Sequence, residues 1–171
     1  MTRQNTLITA VTAVAALSST ALTANPAEDA VHLAHDRYLA ASNANDPVAF
    51  LATVTEDVVF IAPNSPAIVG KAKLEPWVRG YFEAVETSWE KTSLEFVIAD
   101  GWAFEWYSYR AADLPRGGGE ASVETGNGIN IYRLGADNVW RVAREVWAAD
   151  GLAPVEMDSA HVTCTGASGP C

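Results

Sequence analysis

Cysteine is nearly absent from this chain. There are two, Cys164 and Cys171, both near the C-terminal end. No CxxC pair and no His/Cys set at ligand spacing accompanies them, so a zinc-built fold and dithiol chemistry are excluded. His161 near Cys164 makes two potential ligands, which is not a zinc site, and no metal is expected. Basic residues are also scarce: 11 Lys and Arg stand against 21 Asp and Glu, a net charge of -10. Such a surface repels phosphate backbones, which excludes nucleic acid as a partner. There is no glycine-rich nucleotide motif and no internal repeat.

What is present begins with a processing signal. Arg3 supplies a positive start, Leu7 to Leu17 is apolar and uncharged, and Ser19-Thr20-Ala21 or Leu22-Thr23-Ala24 fits a cleavage site. Residues 1–24 read as a secretory signal peptide. The competing reading is an uncleaved anchor. Thr9, Thr12, Ser18, Ser19 and Thr20 make this a poor span, and no stop-transfer segment follows. Cleavage after Ala24 removes Arg3 and no acid, which leaves a net charge of -11. The expected protein is exported, periplasmic or extracellular, with no stable membrane insertion after cleavage. Export permits oxidation, so Cys164 and Cys171 either close a disulfide in the tail or stay free thiols.

Residues 25–152 hold the periodic segments, and residues 153–171 read as a polar tail. Ala27 to Asn43 is a first helix, with Val31, Ala34, Tyr38 and Ser42 on one face and His35 at its edge. Asp46 is a suitable N-cap, with Pro47 in the first turn, for a second helix reaching about Thr53. Val58 to Ala62 is a strand, and Pro63-Asn64-Ser65-Pro66 a turn. Lys71 to Glu86 is a third helix that Pro76 kinks or starts. Strands follow from Trp89. Thr92 to Ala99 puts Leu94, Phe96 and Ile98 on one side. Trp102 to Arg110 puts Trp102, Phe104, Trp106, Ser108 and Arg110 on one face, with Glu105, Tyr107 and Tyr109 on the other. Asp113 to Gly119 is a loop. Ala121 to Leu134 and Val139 to Ala148 form a hairpin through Gly135-Ala136-Asp137-Asn138.

This order predicts an α+β single domain: a cone-shaped, curved antiparallel sheet wrapped around three N-terminal helices. The open end of such a cone is a natural small-molecule cavity. In the last strand, Trp140, Val142, Arg144 and Val146 share a face by alternation. Arg144 either reaches to the rim or faces the pocket, and Arg110 either faces the pocket or pairs with a neighbouring glutamate. With both inward, the pocket suits a carboxylate, phenolate or enolate.

The stretch RYLAASNANDPVAFLATVTEDVVFIAPNSPAIVGKAKL, Arg37 to Leu74, resembles the start of ketosteroid-isomerase-like and SnoaL-like proteins of the nuclear-transport-factor-2-like (NTF2-like) superfamily. The resemblance covers about Ala30 to Trp147. It implies a cone with one pocket, a frequent homodimer, and members that are isomerases, dehydratases, cyclases, hydrolases or non-catalytic association domains. In the isomerases a carboxylate removes a proton beside a carbonyl, and a tyrosine and a protonated aspartic acid stabilise the oxyanion. Tyr38 matches the family tyrosine, against the plainer reading of a core tyrosine with a satisfied hydroxyl. Ala62 stands at the family's base position and cannot take a proton. The second oxyanion donor falls at Asn130. Trp77 and Trp106 fall where the family places pocket aromatics, with Phe60, Phe82 and Phe104 joining them.

With Ala62 in place of a base, His35 is the candidate proton carrier, one turn before Tyr38. Its alternative is a solvent-exposed helix edge. Glu124 is a weaker candidate. The catalytic set is therefore Tyr38, His35, Asn130 and Arg144, and the substrate-binding set Phe60, Trp77, Phe82, Phe104, Trp106, Ser108 and Arg110. The resulting expectation is a cofactor-independent isomerase, dehydratase, cyclase or lyase acting on a small hydrophobic or aromatic molecule. The alternatives are a non-catalytic periplasmic binder of hydrophobic metabolites, and a dimeric association module using the face of Tyr107, Tyr109 and Trp147.

Overall fold

A computed structural model describes residues 26–150. The expected signal peptide, the polar tail, His161 and the Cys164–Cys171 pairing lie outside the described residues. Three helices come first: α1 (Pro26–Asn43), α2 (Pro47–Ala52) and α3 (Lys71–Ala84). The strands are β1 (Val54–Ile61), β2 (Ile68–Val69), β3 (Val85–Ala99), β4 (Trp102–Pro115), β5 (Ser122–Leu134) and β6 (Trp140–Ala149).

Local chemistry sets these boundaries. Asp46 caps α2 by accepting from the Val48 and Ala49 amides at 2.9 and 3.0 Å, and Pro47 occupies the first turn, where its missing N–H costs nothing. Pro76 lies inside α3, which starts before it. The Ala72 carbonyl that loses its helical partner belongs to an exposed residue, where the loss is least costly. α3 ends two residues before the expected Glu86, because Val85 already pairs with Pro115 in the sheet. The same pairing makes Asp113 to Pro115 part of β4 rather than of a loop.

The six strands form one sheet in the order β2-β1-β6-β5-β4-β3. It is not wholly antiparallel as expected: β1 runs parallel to β6. The core lies between the helices and the inner face of the sheet, where Val31, Tyr38, Leu74 and Val78 meet Val58, Tyr132 and Val142.

Two bulges decide which side chains face inward. In β3, Ser93 pairs with Tyr107 and Glu95 with Trp106, so Leu94 is an extra residue. In β6, Arg144 pairs with Ile131 and Val142 with Tyr132, so Ala143 is extra. Each insertion reverses the alternation beyond it. Leu94 is therefore exposed while Phe96 and Ile98 pack on the core. After Ala143, Glu145 and Trp147 turn inward, and Arg144 and Val146 outward.

Two glycines let the inner face close. Gly128 lies opposite Tyr107 and Gly126 opposite Tyr109. A Cβ at Gly128 would collide with the Tyr107 ring, and one at Gly126 would sit 2.7 Å from the Tyr109 ring. Each tyrosine lies flat across β5 only because its neighbour has no side chain. We expect Gly128→Ala to destabilise the domain by about 1–3 kcal/mol in urea unfolding, as overpacked core positions do. In a Tyr107→Leu background the same substitution should cost less than about 1 kcal/mol.

Candidate functional site

The helices and the inner face of the sheet enclose a cavity of about 610 Å³. Its walls are aromatic: Phe50 from α2, Phe60 from β1, Trp77 and Phe82 from α3, Trp89 from β3 and Trp147 from β6. Exposed residues of the lining, among them Asn64, Val123, Glu124 and Asp150, mark the mouth. Tyr38, Lys91 and Glu145 form the buried end.

That end is built around Glu145. Its carboxylate accepts a hydrogen bond from the Tyr38 hydroxyl, one from the Tyr107 hydroxyl at 3.0 Å, and an ion pair from Lys91 Nζ at 2.8 Å. The Lys91 and Glu145 side chains are each only 3% exposed. The ammonium also sits 4.1 Å from the Tyr107 ring centre and 4.8 Å from that of Tyr38, so both rings add cation–π attraction. Burial, and then the charge of Glu145, push the Tyr38 and Tyr107 phenols well above their ordinary range. Both therefore act as hydrogen-bond donors and not as bases.

A second buried carboxylate, Glu105, lies deeper in the fold and does not line the cavity. It accepts from His35 Nδ1 at 2.8 Å, Tyr132 at 2.6 Å, Asn130 Nδ2 at 3.3 Å, and Ser93. Burial raises its carboxyl, but the bonds from His35, Ser93 and Tyr132 outweigh this and hold it at about 2. Glu105, Asn130 and Glu145 are cross-strand neighbours in one row over β4, β5 and β6. Asn130 thus separates the two carboxylates.

The structure brings together Tyr38, Phe60, Trp77 and Phe82 on the cavity. His35 and Asn130 are buried behind it, on Glu105. Arg144 is on the outer face, where it donates to the Asp57 carbonyl at 3.0 Å. The β6 bulge put it there. Phe104, Trp106, Ser108 and Arg110 are also outside. β4 alternates as expected, but its inward row is Glu105, Tyr107 and Tyr109, whose polar ends find partners on other elements: Tyr107 on Glu145, Tyr109 on Glu124, and Glu105 on His35 and Tyr132. Arg110 faces Glu90 at 4.0 Å. Tyr107 and Tyr109, expected on an association face, are interior. Sequence reasoning missed Lys91, Glu105 and Glu145. A signal existed: each is a charged residue in period-2 register with an aromatic, Lys91 with Trp89, Glu105 with Tyr107, Glu145 with Trp147. Among the described residues no group of three or more His, Cys, Asp or Glu is arranged for a metal, and no helix is long and apolar enough to cross a membrane.

The fold places the chain among NTF2-like proteins, cones of helices and curved sheet around a single cavity. The SnoaL-like domain model matches residues 35–145, more than half of the chain, and the chain belongs to that family. It is similar to a ketosteroid isomerase-like protein from Erwinia carotovora atroseptica at 27% identity, covering 72% of this chain and 95% of that one, with a TM-score of 0.66. A putative scytalone dehydratase from Novosphingobium aromaticivorans matches at 16% identity over 72% and 84% of the two chains, TM-score 0.65. An NTF2-like superfamily protein from Salmonella enterica matches at 12% identity over 77% and 96%, TM-score 0.67. The last two show the fold alone. No curated protein matches the sequence.

The Glu105 cluster has a measurable consequence. Its folded value of about 2 lies below its ordinary 4.5, so the unfolded chain takes up that proton first as acid is added. Its contribution is complete above about pH 4.5 and disappears as pH falls towards 2. This difference between the two states corresponds to about 3 kcal/mol. Urea unfolding between pH 5 and 2 should show a steeper loss for the natural chain than for Glu105→Gln. Parallel losses would contradict the assignment.

Proposed function

We propose that the protein is a cofactor-independent isomerase or dehydratase for a small hydrophobic carbonyl compound, with Glu145 as the general base. One observation carries this reading: a carboxylate, an ammonium and a phenol converge at the buried end of an aromatic cavity. Glu145 removes a proton from the carbon beside the carbonyl. Negative charge then leaves the carboxylate and appears on the substrate oxygen as an enolate. Tyr38 and Lys91 lose their acceptor at that moment and turn to the new oxyanion, so the same donors serve both ends of the step. Returning the proton to another carbon gives isomerisation. Delivering it to a β-hydroxyl, which leaves as water, gives dehydration. Phe60, Trp77 and Phe82 hold the apolar body of the substrate.

This moves the base from His35 to Glu145, and the charge-bearing partner from Arg144 to Lys91. Tyr38 keeps its role as oxyanion donor. Cyclisation and lysis through the same enolate use the same groups. Export to the periplasm or beyond remains part of the reading, supported by the N-terminal sequence. Homodimerisation is supported by the exposed Trp102 and Trp106 on the outer sheet face. A second reading is a non-catalytic binder of hydrophobic metabolites. It is favoured by the completeness of the Glu145 shell, which has three donors before any ligand arrives.

The test is proton exchange. A panel of aromatic ketones and a hydrophobic metabolite extract are incubated with the protein in D₂O and followed by mass spectrometry. The natural chain should introduce deuterium or remove water. Glu145→Gln should slow this by about 100-fold or more, and Tyr38→Phe by about 100-fold with binding little changed. Exchange by Glu145→Gln at the natural rate would refute the base. Compounds retained unaltered would establish the binder.

A further inference from the structure

We propose that this cavity selects a hydrophobic cation, such as an aromatic carbonyl compound that also carries one ammonium group, over neutral and anionic molecules of the same shape. The inference rests on the reading of the cavity as a substrate site and adds the charge class of what enters it. It reverses the electrostatics expected from two inward arginines.

The ionisable groups on the cavity are one ammonium, Lys91, and four carboxylates, Asp113, Glu124, Glu145 and Asp150. Lys91 and Glu145 cancel one another at 2.8 Å. The other three have no such partner among the described residues. Asp113 accepts from the Tyr81 hydroxyl at 2.7 Å and the Thr87 hydroxyl at 2.5 Å, and Glu124 from the Tyr109 hydroxyl at 2.6 Å. Those donors are neutral: they orient the carboxylates and leave their charge standing. The nearby arginines are engaged elsewhere. Arg110 faces Glu90, and Arg116 faces Glu86 while donating to the Phe82 carbonyl at 2.9 Å.

The three acids also lie together. Asp113 is opposite Ser122 and Ala111 opposite Glu124, so both carboxylates are on neighbouring strands of the inner face. The Asp150 amide donates to the Thr125 carbonyl at 2.7 Å, which ties the end of β6 to the same place. Charge of one sign gathered at the mouth of an apolar cavity draws in ligands of the opposite sign, an attraction that salt screens. The wall between mouth and floor suits the same ligand. Trp77 and Tyr81 stack at 5.4 Å and 16°, and Trp89 and Trp147, edge to face at 6.3 Å, line the same cavity; aromatic rings of this kind attract a cation. The floor already holds a cation on such faces, Lys91 on Tyr107 and Tyr38. An anionic ligand meets three carboxylates and no cation that is not already neutralised.

The test uses three matched probes, 2-naphthylmethylammonium, 2-naphthylmethanol and 2-naphthoate, with the natural chain in calorimetry at low salt. Their location is read from the indole N–H resonances of Trp77, Trp89 and Trp147, with Trp102 and Trp106 on the outer face as controls. The ammonium should bind about tenfold more tightly than the alcohol, and the carboxylate more weakly than either. Added salt should narrow the gap. Asp113→Asn combined with Glu124→Gln keeps hydrogen-bond acceptors in place. It should bring the ammonium close to the alcohol and leave the alcohol's affinity unchanged. If all three probes shift the cavity indoles with equal affinity, or the double variant keeps the full preference, the charge inference is overturned and the site reading stands. If none shifts those indoles, both fail.

Discussion

Removing a carboxylate from water costs several kcal/mol unless donors replace the solvent it loses. Glu145 meets this requirement with groups from three separate elements: Tyr38 of α1, Lys91 of β3 and Tyr107 of β4. The surrounding structure serves that arrangement. The extra residue at Ala143 turns Glu145 inward. Gly128 leaves room for the Tyr107 ring to cross β5 and reach it. The ammonium of Lys91 balances its charge. Losing any one of these leaves a buried polar group without its partner, so the cavity floor is a cooperative unit.

Glu105 repeats the solution two strands away. It is also cut off from solvent, and it is held by His35 of α1, Ser93 of β3 and Tyr132 of β5. His35 and Tyr38 are less than one helical turn apart, so α1 is fastened to the sheet at two neighbouring carboxylates. One of these sites is sealed and the other opens to the cavity. This division separates a carboxylate enclosed within the fold from one that lines the cavity. Asn130 stands between them in the same cross-strand row, and its amide donates to Glu105 and to the Tyr132 hydroxyl that itself donates to Glu105.

Much of the fold was legible from local chemistry. The Asp46-Pro47 start of α2, the helix face of Val31, Ala34 and Tyr38, and the β5–β6 hairpin all depend on residues close in sequence. So does the SnoaL-like order of elements. The site was legible only in part. Tyr38, Phe60, Trp77 and Phe82 lie on apolar patterns that any inward face would carry. Lys91, Glu105 and Glu145 read locally as solvated charges, because nothing near them in sequence neutralises them. The apolar appearance of Trp102, Phe104 and Trp106 pointed to the wrong face of β4, since a row of tyrosines and one acid is acceptable inside only when its hydroxyls find partners.

The sequence by itself determined the kinds of element, their order, their caps and the aromatic content of the walls, because those follow from backbone preferences and short-range periodicity. Tertiary structure alone decided which face of each strand turns inward past Leu94 and Ala143. A bulge is defined by register against a neighbouring strand and not by the residues inside it. It also decided which charges are buried, since the hydroxyl that satisfies Glu145 comes from a residue 107 positions earlier in the chain. Pairing across that distance is a property of the assembled sheet and helix, and it converts an ordinary glutamate into the floor of a cavity.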